Sequence, residues 1–122
     1  MIRQALAAIA FLSLPLGSAL GSEVKADCMV TVSYGSAGTG IDRGLAQRIQ
    51  HQFRHDPRIV KRERRPKGHE GEYDLCLTIE PATKARTVFR SIRALMPAYS
   101  DKAPTTLTLH GGGRYQTKWK GK

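Results

Sequence analysis

The apolar positions along the chain recur with two different periods, and each change of period marks an element. Residues 28–34 (Cys-Met-Val-Thr-Val-Ser-Tyr) alternate and are β-branched, which predicts a strand. Gly35–Gly40 is a glycine-rich loop. Ile41, Leu45, Ile49 and Phe53 then recur every four residues with Ala46 alongside, which predicts an amphipathic helix ended by Asp56-Pro57. Thr39 is the expected N-cap of that helix, with Asp42 supplying an acid to its first turn. Residues 58–65 (Arg-Ile-Val-Lys-Arg-Glu-Arg-Arg) read as an edge strand, because Lys and Arg protect an open edge from further pairing. After the turn at 66–71, residues 72–79 (Glu-Tyr-Asp-Leu-Cys-Leu-Thr-Ile) form a third strand. Pro81 suits the first turn of a second helix, whose apolar stripe is Ala85, Val88, Phe89, Ile92, Leu95 and Met96, and Pro97 stops it. A fourth strand follows from Thr105 to His110. Gly111-Gly112-Gly113 breaks it, and residues 114–119 alternate again as a short fifth strand or a tail.

The resulting order is βαββαβ. It predicts an α+β fold of the ferredoxin-like (split βαβ) plan, with one antiparallel sheet, two helices on one of its faces and a candidate fifth strand at the C-terminus. If Val30, Val32, Leu75, Leu77, Ile79, Leu107 and Leu109 face the helices, the opposite face carries Met29, Thr31, Ser33, Asp74, Cys76, Thr78, Thr106, Thr108 and His110. RNA-recognition modules use this layout but place base-stacking aromatics on that free face; none stands here, which argues against nucleic acid as the partner. Over residues 28–96 the layout also resembles that of the peptidoglycan-binding SPOR domains, with Val-Ser-Tyr-Gly-Ser at 32–36 at the strand-to-helix junction. The resemblance is one of arrangement, and no site residue is carried over from it.

Residues 1–21 stand outside this pattern. Arg3 is a positive start, Ala5 to Leu16 an apolar run, and Gly17-Ser18-Ala19-Leu20-Gly21 offers small residues for cleavage after Ala19 or Gly21. These are the parts of a secretory signal, and the run is too short for the ~20 residues that span a bilayer. The expected organisation is a removed leader at 1–21, a single domain at 22–113 and a basic, aromatic strand or tail at 114–122. The expected location is the periplasm or the outside of the cell, with no transmembrane helix once the leader is gone.

That address bears on the cysteines. The chain has two, and an even count in an oxidising compartment predicts a Cys28–Cys76 disulfide. Strand parity argues the other way: Cys28 is in step with Val30 and Val32, while Cys76 is out of step with Leu75 and Leu77. The pair meets only if Cys28 precedes the strand proper or a bulge resets the register. There is no Cys-x-x-Cys, so neither a thioredoxin-type site nor a zinc knuckle is expected.

Other candidate chemistry is sparse. The Gly35–Gly40 spacing is neither a dinucleotide fingerprint nor a P-loop. His51 and His55 stand four apart near a helix end, without the Glu of a zinc-protease motif. Cys76 and His110 share the open face but lack any diagnostic context. No catalytic residue, metal or cofactor is expected.

Charge is the feature in excess. The chain carries 20 Lys and Arg against 10 Asp and Glu, a net of +10. Arg58, Lys61, Arg62, Arg64, Arg65 and Lys67 crowd one segment around a single Glu63. Arg114, Lys118 and Lys120 interleave with Tyr115 and Trp119, and Arg86, Arg90 and Arg93 line the outer face of the second helix. Solubility alone requires less than this. The basic residues of 58–67, with Arg114, Lys118, Trp119 and Lys120, are therefore the candidate anion-binding set. The expected function is an exported, non-enzymatic binding module for an anionic envelope component (acidic lipid headgroups or cell-wall glycan) or an acidic protein. The alternative is an assembly subunit that pairs through a sheet edge; a small secreted enzyme or metal binder ranks behind both.

Overall fold

A computed structural model describes residues 28–120; the leader read at residues 1–21, the start of the domain at 22–27 and the last residues of the tail, 121–122, lie outside them. The described chain is mixed α+β. In order it forms β1 (Val30–Tyr34), α1 (Arg43–Phe53), β2 (Ile59–Pro66), β3 (Tyr73–Ile79), a 3-10 turn (Ala82–Lys84) leading into α2 (Ala85–Arg93), β4 (Tyr99–Ser100), β5 (Thr105–Leu109), β6 (Gly113–Gln116) and β7 (Lys118–Trp119). Five strands make one sheet in the order β2-β3-β1-β5-β6, with every neighbouring pair antiparallel. β4 and β7 pair in parallel as a separate two-stranded ribbon.

The sheet's two faces follow from its register. Val30 pairs with Leu77 and Leu109, and Val32 with Leu75 and Leu107, so apolar side chains stack across three strands on one face. Leu45, Ile49 and Phe53 of α1 and Val88, Phe89 and Ile92 of α2 bury themselves on that face in one continuous core. Both helices are amphipathic by four-residue spacing, which is what allows two of them to lie side by side on one sheet. The other face carries Thr31, Ser33, Asp74, Thr78, Thr106 and Thr108, all partly exposed.

At three places the structure corrects, decides between or adds to the sequence reading. Asp42, not Thr39, caps α1: its carboxylate accepts from the Leu45 N–H at 3.1 Å and from the Ser100 hydroxyl at 3.1 Å. Thr39 lies between Gly38 and Gly40, both at positive φ, one turn too early to reach the helix. Next, of the two readings of residues 114–119, strand or tail, the strand holds. β6 pairs with β5 across the glycine turn. The chain then bends at Thr117, which is fully buried and exchanges hydrogen bonds with Thr105 through its own N–H (3.1 Å) and its Oγ1 (2.9 Å). Finally, the chain between α2 and β5 contains a further short strand, β4, which receives β7.

Cys28 and Cys76 stand at disulfide distance, Sγ to Sγ 2.05 Å and Cα to Cα 5.0 Å. Cys28 precedes β1, ahead of the ladder, and so escapes the strand parity that sends Val30 to the core. It turns onto the open face, where the register puts Cys76 opposite Thr31 and Glu63. The sulfurs link the start of β1 to the sheet's central strands, closing a separation of 48 residues.

Candidate functional site

The basic segment 58–67 lies on β2, an edge strand paired only with β3, and strand alternation divides its charges between the two faces of the sheet. Lys61 and Arg65 stand opposite Thr78 and Asp74 on the open face. Arg62 and Arg64 stand opposite Leu77 and Leu75, on the face that the helices cover. A cluster that is contiguous in sequence is therefore two sites in space.

On the open face two of the charges, Arg65 and Lys67, are met by acids. Arg65 bonds Glu63 at 3.1 Å and also donates toward the Cys28 sulfur at 3.2 Å. Lys67 reaches Asp74 at 2.7 Å and the Ser33 hydroxyl at 2.6 Å. Burial pushes the Asp74 carboxyl up, but hydrogen bonds from Lys67 and Ser33 and the nearby Lys67 and Arg65 charges outweigh it and hold it below its usual range. The hydrogen bond from Arg65 lowers Glu63 likewise. Arg114 donates to Gln116 at 3.1 Å. At the start of β2, Arg58 folds back on Asp56 through two hydrogen bonds of 2.9 and 2.5 Å, and is spoken for.

On the helix side no ion pair forms among the described residues, although the Arg62 charge is near enough to Asp56 to help lower its carboxyl. α1 and α2 together hold five arginines (Arg43, Arg48, Arg86, Arg90 and Arg93) and no Asp or Glu. Arg54 follows α1 as its C-cap. Arg93 lies over the Tyr115 ring at 4.8 Å. Arg62 donates to the Phe53 carbonyl, one of the acceptors that a helix C-terminus leaves open. Arg64 lies flat over the Tyr73 ring at 3.9 Å, and Tyr73 in turn contacts Tyr34, their ring centroids 4.8 Å apart. Among the described residues no acid forms an ion pair with Arg54, Arg62 or Arg64.

These last three arginines surround a cavity of about 310 Å³ between α1 and the β2–β3 edge. Its walls are Ala46, Ile49 and Phe53 from α1, Ile59, Leu75 and Leu77 from the sheet, Ile92 from α2, and the Tyr34–Tyr73 pair. Gln50, Arg54, Arg62 and Arg64 are its exposed lining residues and form the mouth. The cavity lies between α1 and the helix-facing side of the β2 edge strand and its neighbour β3. At two positions on that side the sequence supplies arginines in place of aliphatic side chains, and their stems line the space while the charged ends reach water. Burial, then the neighbouring Tyr73, pushes the Tyr34 phenol well above its usual range, so it is a neutral group in the wall.

The remaining sequence candidates are not gathered into a site. The Gly35–Gly40 loop is closed on itself: Ser36 Oγ accepts from the Gly38 and Gly40 N–H groups at 3.1 and 3.0 Å, and its hydroxyl donates to the Glu70 carboxylate. Those amides are satisfied, and an acid faces them. His55 lies beyond the C-cap of α1, off the helix that carries His51. Cys76 is taken up with Cys28, and His110 is exposed just past β5. Lys118 and Trp119 form β7, with Lys120 directly after. Lys118 lies 5.9 Å over the Tyr99 ring, and Trp119 is about half exposed, at 49%. The cavity itself could not be read from the chain. Its one visible sign was Arg62 and Arg64 at positions where alternation calls for apolar residues.

Comparison with protein-family models, with curated proteins and with solved structures returns no match.

Proposed function

We propose that the protein is a small exported binding module, without catalytic activity, that holds an anionic component of the cell envelope against its helix layer. One observation carries this reading. The arginines of α1 and α2 have no acid on their own helices, whereas Arg65 and Lys67 on the open sheet face are paired with Glu63 and Asp74. Uncompensated charge on one side gives a protein a direction of approach to a polyanion. Guanidinium groups also match phosphate and carboxylate oxygens in pairs, which a lysine does not. The cysteine pair supports the extracytoplasmic address, where such bonds persist. No helix among the described residues is long and apolar enough to cross a membrane.

The strand order, with β5, β1, β3 and β2 as the four strands and the helices on one face, supports a ferredoxin-like plan extended by β6. Pairing through the β2 edge is the weaker reading. That edge bears an irregularity between Ile59 and Lys61, alternating basic residues and Pro66, which together discourage a further strand even though Val60 is half exposed. The test is co-sedimentation with anionic vesicles and, separately, with an acidic cell-wall glycan. Binding is expected at low salt and should fall steeply as salt rises, because exposed charges are screened beyond about 8 Å at physiological ionic strength. Which of the two surfaces retains the protein identifies the component; retention by neither overturns the reading.

A further inference from the structure

The cavity under α1 calls for a ligand of a different kind from the polyanion proposed above. From its geometry we infer that it is a binding site for one small amphipathic carboxylate, with an acyl chain against the apolar wall and the carboxylate among Arg54, Arg62 and Arg64.

Three features carry the inference independently of the outer helix charges. The volume of about 310 Å³ is at the small end of ligand pockets, so the occupant is a single chain or ring and not a polymer. The lining is divided: aliphatic and aromatic side chains inside, three guanidinium groups and one amide at the mouth, and no acidic residue anywhere in it. A cationic ligand is thus excluded, and a neutral one would leave the mouth's charge unanswered. Finally, Arg64 is held in place by Tyr73, and Arg62 by the Phe53 carbonyl, so two of the three head-group donors are positioned before any ligand arrives. Preorganisation of this kind lowers the ordering cost of binding. Edge protection alone explains a charged residue on the inner side of β2. It does not explain the third arginine, Arg54, which caps the C-terminus of α1.

Sodium decanoate below its micelle concentration is the probe, with decanol and decyltrimethylammonium as chain-matched controls, followed by titration calorimetry and by amide chemical shifts. Saturable one-to-one binding of decanoate is expected, with shifts at Ile49, Tyr73 and Leu77. Decanol should bind about tenfold or more weakly, since a charged hydrogen bond contributes on the scale of one decade in affinity. Gln50→Trp and Ala46→Phe, which fill the cavity at unchanged charge, should abolish binding, and Arg62→Gln with Arg64→Gln should reduce it about tenfold. Gln50 is exposed, so Gln50→Trp keeps the test valid if Ala46→Phe does not fold. Equal binding of decanoate and decanol, undiminished binding in the filled variant, or no saturable binding would each overturn the assignment. Because both filling variants leave every arginine in place, loss of decanoate with retained vesicle or glycan binding separates this site from the surface proposed above.

Discussion

Asp56 and Asp74 show how single carboxylates report on the fold. Each is held below its ordinary range, Asp56 by the Arg58 side chain and Asp74, against its own burial, by Lys67 and Ser33. A carboxyl whose folded pKa is depressed contributes stability that is present above its unfolded value, about 3.9 for Asp, and is lost as pH falls through the lower folded value. The urea midpoint is therefore expected to hold through neutral pH and to decline on the acid side, with Asp56→Asn and Asp74→Asn flattening that decline. An acid limb as steep in the double variant as in wild type would show that these pairs contribute nothing. Tyr34 acts at the other extreme. Its phenol is raised, so the folded state keeps its proton after an unfolded chain has begun to lose it near pH 10, and stability should fall as pH rises through that range. Ultraviolet titration should find one tyrosine whose ionisation waits for unfolding, absent in Tyr34→Phe.

Among the elements, the disulfide region of β1 and β3 is the clearest case of two sequence signals in conflict. Compartment and count predicted a bond, and parity of β1 predicted none. The geometry resolves them because Cys28 stands outside the strand. Closing 48 residues removes unfolded-chain entropy corresponding to about 4 kcal/mol in the loop model, within a typical range of 2–5 kcal/mol for small secreted domains. Cys28→Ser with Cys76→Ser should lower stability by that order, measured by denaturant unfolding, and mass mapping without reductant should find the two peptides linked. An unchanged midpoint, or two free thiols in protein from an oxidising compartment, would contradict this. Much of the element pattern was legible: both helices, the edge strand and the core-facing rows follow from spacing alone. What escaped was non-local. β4 is two residues long and has no pattern of its own; it exists because β7 arrives beside it. The N-cap was misplaced because several turn-forming residues precede α1 and only the loop's actual path selects Asp42. The split of the basic segment was implicit in strand parity, but the cavity beside β2 depends on where a helix lies across the sheet, which no local spacing encodes.

At the scale of the whole molecule, the distinguishing feature is an asymmetry of charge: Arg65 and Lys67 on the open sheet face are ion-paired, and among the described residues the arginines of the helices are not. Total charge cannot test it, because a merely soluble protein would have the same sum. The direct measurement compares two double variants that lose equal charge from opposite sides. One is Arg86→Gln with Arg90→Gln on α2; the other is Arg65→Gln with Lys67→Gln on the open face. Both are assayed for binding to anionic vesicles or acidic glycan at one low salt concentration, with thermal unfolding to confirm the fold. The account predicts a loss of about tenfold or more for the helix-layer variant and a much smaller loss for the open-face variant. Equal losses, or a larger loss on the open face, would contradict it.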